Sequence, residues 1–404
     1  MNTTRIDLLS PDVRRDPFPI YRELRRRAPA CPIDPGGMWA VARYADVMAA
    51  LHDPATFSSE GFRAAFAPEW LGDDRLARMM LVMDPPEHSN LRRLVSRQFG
   101  QDLLRSLEHP LRAYIQNTLE ALDPRREIDV VAELATPIAA AVVAMLLDLD
   151  PAHHVRFKHW VDTIGSMTPV EPDAATVAAI RGVIAEEDAY FREVIESRRR
   201  APGTDLVSLL LSSEIEGRSL TTEELVSFLV LLLGAGIDTT IHLLSKSLLL
   251  LSERSDLLLQ LRADERLIAT FLEEMLRYDP PTHALPRLTT RDVELGSTTI
   301  PAHSFVLLLL ASANRDEAQF EDPDRFRLDR ATRGTLAFGH GPHTCIGAAL
   351  ARFESRLVFE ALLERFTAFE RDRTAPIVWD AAIHTRGPLQ LPMRLVRQGS
   401  ARAV

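Results

Sequence analysis

Most of the chain reads with a helical period. Apolar residues recur at three- and four-residue spacings, and strand-like runs are short: Trp39 to Ala42, Val293 to Ile300, and Ser304 to Leu310. The clearest helix opens at TTEE, where Thr221 as N-cap and Glu224 three residues on form a capping box. Its pattern continues to about Arg254. About 33 residues at 1.5 Å each reach ~50 Å, enough to cross a globular protein of this size. A membrane span competes for the stretch LVSFLVLLLGAGID, but Asp238, His242 and Lys246 interrupt the apolar run. The pattern predicts a buried central helix.

Three more helices carry clear punctuation. One starts at Asp84, Pro86 and Glu87 and ends at Gly100; one, ADERLIATFLEEMLRYDPP, stops at Pro280 and Pro281; the last follows Gly347 to about Phe366. No period of 20 to 50 residues repeats, which argues against solenoids. The expected fold class is mainly α with a minor β region.

Composition narrows the function classes. With 46% apolar and 26% charged residues this is an ordinary globular chain, and its net charge of −10 argues against a dedicated nucleic-acid binder. The bases are 45 Arg and two Lys, Lys158 and Lys246, a bias that codon usage explains. The start, MNTTRIDLLSPDVRRDP, has no apolar run, so neither a signal peptide nor a membrane anchor is expected and the protein should be cytoplasmic. The two cysteines, Cys31 and Cys345, lie too far apart in such a chain to suggest a disulfide framework.

Cys345 has the more informative setting. The segment FGHGPHTCIGAALAR, Phe338 to Arg352, gathers glycines before a helix, with the thiol where loop meets helix. Helix N-terminal amides favour a thiolate there, and Gly341 and Gly347 would let backbone N–H groups approach sulfur. A buried structural cysteine is the plain alternative. Zinc held by His340, His343 and Cys345 would want a fourth ligand, and none follows at a usual spacing; a cysteine protease would want a separate His and Asn. Taken together, Phe338, Gly341, Cys345 and Gly347 match F-x-x-G-x-x-x-C-x-G, which resembles the haem-thiolate signature of the cytochrome P450 family. The resemblance implies haem b as cofactor, with Cys345 as the axial iron ligand, Phe338 packed near the sulfur and His343 reaching a haem propionate.

Other motifs fall in the order that resemblance implies. Glu274 and Arg277 form E-x-x-R, residues three apart on one helix face, a spacing that solvated ion pairs also use. In the family it makes a buried network with a later arginine, here expected to be Arg325 of DPDRF. The central helix carries AGIDTT: Ala235 and Gly236 are small enough for close approach to a flat ligand, and the glycine permits a local kink. Asp238 and Thr239 are costly in a buried helix unless partnered. The resemblance makes them the acid–alcohol pair that delivers protons during oxygen activation. His88 and Arg92, four apart on a helix face away from Leu91, Leu94 and Val95, and Arg287 are implied propionate partners.

The whole resemblance runs from Asp16 to the C-terminal HTRGPLQLPMRL and implies one domain over residues 1–404 in a P450 fold, with the long helix crossing the haem. Substrate contacts are expected from Leu81, Leu232, Ala235, Leu285 and Ile383, within segments that include Phe62 to Val82, Trp160 to Val170 and Thr282 to Leu285. The implied activity is monooxygenation, hydroxylation or epoxidation, of a lipophilic small molecule in bacterial secondary metabolism by a cytoplasmic monomer. The chain carries no G-x-G-x-x-G after a strand, so electrons are expected from a ferredoxin and its NAD(P)H-dependent reductase. Arg93, Arg97, Arg352 and Arg356 are candidates for the docking face. Rival readings are a peroxygenase, a haem-thiolate isomerase or dehydratase, and a non-catalytic P450-like helper. Asp238 and Thr239 weigh against the first, and Cys345 against the last.

Overall fold

A helix from Thr222 to Glu253 runs through the middle of the molecule, and its start is the capping box read from the sequence. The Thr221 hydroxyl accepts from Glu224 N at 3.1 Å while the Glu224 carboxylate accepts from Thr221 N at 2.9 Å. Leu225, Leu229, Leu233, Ile237, Leu244 and Leu248 are fully enclosed. Each buried side chain of this kind contributes ~1.5–3 kcal/mol. Around the helix pack Thr136–Leu146, His154–Gly165, Ala174–Arg200 and Ala348–Arg365. It is also long and apolar enough to span a bilayer, and its apolar stretch is mostly buried against these neighbours. The helix is unbroken through Gly236. That glycine serves packing instead of a kink, since a Cβ there would lie 2.9 Å from Val143 Cγ2 on the Thr136–Leu146 helix.

This is a computed structural model, and it describes residues 6–34, 36–63, 67–72, 76–123, 125–167, 170–215 and 217–397. Parts of two segments expected to line the pocket, 64–66, 73–75 and 168–169, lie outside the described residues. The other helices read from the sequence form at Glu87–Ser96, Leu267–Tyr278 and Ala348–Arg365.

The minor β region is real but differently divided. A six-stranded sheet has the order Ile6–Asp7, Ala30–Asp34, Met38–Val41, Phe305–Leu308, Leu285–Thr289, Phe57–Ser58. Phe305–Leu308 lies parallel to Met38–Val41 and antiparallel to Leu285–Thr289. The run Val293 to Ile300, expected as one strand, is a hairpin of Val293–Leu295 with Thr298–Ile300, because Gly296 at φ 58° turns the chain. Phe366–Glu370, Pro392–Arg397 and Ile128–Asp129 make a further small sheet. The molecule is mainly α with a minor sheet region, as the periodicity predicts.

Candidate active site

The cysteine loop is a tight fold of backbone. Gly341–His343 forms one 3-10 turn, Thr344 N donates to Gly341 O at 3.1 Å, and Cys345 N donates back to Phe338 O at 2.9 Å. Gly341 has φ 72°, and a Cβ on it would collide with Leu51 O. Its requirement is therefore the crossing of two backbones, not the approach of an amide to sulfur. Gly347 caps the helix that starts at Ala348, and its amide is the nearest backbone influence that favours the charged form of the sulfur. Cys345 is solvent-accessible yet closely flanked by protein. Desolvation pushes its thiol up, against the lowering pull of the Gly347 amide, Arg92 and Arg352. Burial thus outweighs the groups that favour the thiolate at this helix start.

Within the long buried helix, Ala235 is exposed while Leu232, Leu233 and Ile237 around it are buried. This accessible turn carries the acid and the alcohol. The Thr239 hydroxyl donates to Ala235 O at 2.7 Å, one turn back. The Asp238 carboxylate keeps 30% of its side-chain surface and lies 3.6 Å from Lys158 Nζ, which also pairs with Asp162. Burial pushes the Asp238 carboxyl up, opposed by Lys158 and then His242. Thr240 turns the other way and donates to Glu354 at 2.5 Å; desolvation raises that buried carboxyl to about 8. Glu354 carries no sequence signal, since the contact spans 114 residues.

Four basic groups gather beside the cysteine loop. The rings of His88 and His343 lie 3.9 Å apart, and burial lowers their pKa values to about 4 and about 3, so neither is charged at neutral pH. His88 Nδ1 is buried without a hydrogen-bond partner. His343 Nε2 meets the Ser59 hydroxyl at 2.9 Å, a partner that sequence reading missed. Arg287 is 3% exposed, with a hydrogen bond to Pro286 O at 2.8 Å, and desolvation lowers it to about 10. Arg92 Nη2 donates to Thr344 O at 2.6 Å, next to the cysteine.

The E-x-x-R pair is fully buried. Arg277 Nε and Nη2 each donate to the Glu274 carboxylate at 2.8 Å, and Arg277 Nη1 reaches Asn314 O and Pro323 O. The third member of the network is Arg330, whose Nε lies 3.0 Å from Glu274 Oε1. Arg325 contributes only its carbonyl, which accepts from both Arg277 and Arg330, while its residue is exposed. The correction has a simple cause: Asp322 has a positive φ, the chain reverses there, and Arg330 folds back over the turn to donate to Glu321 O and Asp322 O.

The remaining expected residues divide. Leu81, Leu285 and Ile383 are half-buried, and Leu232 is buried. Trp160 packs in the core among Phe157, Tyr190 and Phe191. Phe338 lies half-buried under the Arg352 guanidinium at 4.4 Å. Arg352 pairs with Glu273 and Arg356 with Glu360, so two of the four arginines considered for docking are already neutralised.

Comparison with known proteins agrees with this geometry. Residues 173–381 match the family described as "Cytochrome P450". The chain is 38% identical to "Cyclomarin C epoxidase CymV" of Salinispora arenicola over 88% of each chain. It is 36% identical to "Cytochrome P450 monooxygenase PikC" of Streptomyces venezuelae over 96% of this chain and 92% of that one. Among solved structures, the cytochrome P450 CYP109Q5 from Chondromyces apiculatus superposes with a TM-score of 0.89 at 37% identity, covering 98% of this chain and 99% of its own. With its cysteine loop, buried E-x-x-R pair and central helix in that arrangement, the chain belongs to the cytochrome P450 family.

Proposed function

We propose that residues 1–404 act as one haem b-dependent monooxygenase domain that inserts one oxygen atom into a lipophilic small molecule, with electrons from a ferredoxin and an NAD(P)H-dependent reductase. The observation that carries this reading is the pairing of an accessible Cys345 with basic side chains that, among the described residues, make no ion pair, Asp84 being the carboxylate that acts on His88 and Arg287 from nearby. His88 Nδ1 is orphaned, and the Arg287 guanidinium is buried against a carbonyl. Two carboxylates beside His88, Arg92, Arg287 and His343 would supply what these groups want, and that is the chemistry of haem propionates. The residues fit the group.

When bound, haem supplies the redox chemistry of dioxygen reduction and oxygen insertion. The chain's own residues do the rest. Cys345 would hold the iron through its sulfur, with the Gly347 amide favouring the charged form of that sulfur. Ala235, with no side chain beyond Cβ, leaves room for a flat ligand at the exposed turn of the central helix. The Thr239 hydroxyl donates a hydrogen bond to Ala235 O, which leaves its oxygen lone pairs free to accept one from a water beside it. Asp238 holds a proton more tightly than an exposed aspartate and lies at the helix edge beside Lys158, where it can pass protons inward. Half-buried Leu81, Leu285 and Ile383 give the substrate side an apolar lining that excludes water.

The lipophilic substrate class is supported by relatives. CYP109E1 from Bacillus megaterium, 30% identical over 95% of this chain, is solved with testosterone and with corticosterone. The test is turnover of a lipophilic panel with a surrogate ferredoxin, its reductase and NADPH under labelled dioxygen. One labelled oxygen in the product is expected. Product formed with hydrogen peroxide alone and none with the electron-transfer pair would replace this reading with a peroxygenase.

A further inference from the structure

Behind the acid–alcohol turn lies a contact that the monooxygenase reading leaves unused. His242 follows Asp238 by four residues, one helical turn on, and is 7% exposed. Its Nε2 lies 3.1 Å from Asp380 Oδ2. Its ring lies so close against Gly387 that a Cβ on that glycine would collide with Nδ1. Asp380 and Gly387 are the two ends of a closed loop: Asp380 N donates to Gly387 O at 2.9 Å. The histidine therefore holds both ends of the loop at once, one by the 3.1 Å polar contact with its carboxylate and the other by the width of the ring.

The rest of the loop is equally fixed. Thr385 Oγ1 donates to Asp380 Oδ2 at 3.2 Å, and Arg14 donates to Asp380 O at 2.8 Å and to Thr385 O at 2.8 Å. On the far side, His384 O accepts from His283 N at 2.8 Å and Ala284 N at 3.2 Å. Those residues lead directly into Leu285, whose Cδ1 approaches Gly339 of the cysteine loop. Ile383 is thus carried at the tip of a loop braced between the central helix and the strand that begins at Leu285.

We infer that His242 is a positioning residue that sets the distance of the Ile383 loop from the Asp238–Thr239 turn and thereby selects which lipophilic ligands fit the substrate side. The inference rests on the haem-thiolate reading above. A shape-selective site depends on the placement of its walls to a fraction of an ångström, and a wall braced by packing and hydrogen bonds holds that placement. Gly387 is part of the device, since any side chain there must push the loop away from the ring.

The test uses the haem-loaded protein and two iron-ligating probes, imidazole and 4-phenylimidazole, titrated by absorbance. Imidazole reports access to the iron; the added phenyl ring reports the walls. For His242→Ala and Gly387→Ala, the ratio of the two dissociation constants should change by roughly tenfold while imidazole itself changes by less than about twofold. His242→Gln, which keeps a hydrogen-bond donor, should restore much of the parent ratio and also serves if His242→Ala fails to fold. An unchanged ratio in every folded variant, with only a lower melting temperature, would overturn the inference and leave His242 a structural residue. The ferrous carbon monoxide spectrum separates the two levels: its thiolate-type band should persist in the variants, and its absence from the parent would remove the underlying reading and this inference with it.

Discussion

Glu274 and Arg330 meet at 3.0 Å across 56 residues of sequence, both withdrawn from water, and Arg277 grips the same carboxylate from one helical turn away. One carboxylate and two guanidiniums share one dry site: deleting Glu274 leaves two buried positive charges unpaired, and deleting Arg330 removes a donor from the carboxylate and from the Glu321, Asp322 and Arg325 carbonyls. Glu274→Ala or Arg330→Ala should cost ~3–5 kcal/mol in denaturant unfolding and lower the haem content per chain. Arg325→Ala, which leaves the carbonyl in place, should stay within ~0.5 kcal/mol of the parent. Equal losses from Arg325→Ala and Arg330→Ala would contradict the assignment.

The two glycines that flank Cys345 should respond differently. Gly341 combines φ 72° with backbone against its Cβ direction, whereas Gly347 would meet only the cysteine sulfur at 3.9 Å, an ordinary contact. Gly341→Ala should destabilise by ~1–3 kcal/mol or more and reduce haem loading. Gly347→Ala should load haem nearly as the parent does. Thermal melts and the Soret-to-protein absorbance ratio read both.

Thr239 and Asp238 should affect coupling more than binding. Thr239→Ala removes the hydroxyl proposed to hold a water for proton delivery, so NADPH consumption should continue while hydrogen peroxide replaces product. Asp238→Asn removes the titratable proton and should slow turnover by a factor of ~10²–10⁴. Measured ratios of product to NADPH equal to the parent's for Thr239→Ala would exclude it from proton delivery.

Acid should destabilise the fold through its buried histidines. Desolvation lowers His283 to about 3 and His384 to about 4, against ~6.5 in an unfolded chain. Between those values the unfolded chain binds the extra protons, so stability is complete above ~6.5 and is lost as pH falls towards 4. Each tenfold loss of proton affinity on folding is worth ~1.36 kcal/mol, so the two histidines together amount to several kcal/mol across that window. Guanidinium midpoints at pH 7 and pH 4.5 check it; equal midpoints would contradict it.

Local chemistry was readable in the sequence and long-range geometry was not. The capping box at Thr221 and Glu224, the loop around Cys345 and the acid–alcohol turn rest on residues within one or two helical turns, and each forms where the spacing implies. Arg330 in place of Arg325, the Thr240–Glu354 pair and the His242–Gly387 contact depend on how distant segments fold back. No periodicity encodes those meetings. The split of Val293 to Ile300 into a hairpin could have been read from Gly296 and Ser297, a turn signal inside a short apolar run.

The central claim is that Cys345 binds haem iron as a thiolate. The most direct measurement is the absorbance spectrum of the dithionite-reduced protein under carbon monoxide, with Cys345→His as the comparison. The parent should give the red-shifted Soret band from which the family takes its name, and the variant should lose it while keeping haem in the cradle of His88, Arg92, Arg287 and His343. A parent that binds haem but gives the same unshifted band as Cys345→His would contradict the account.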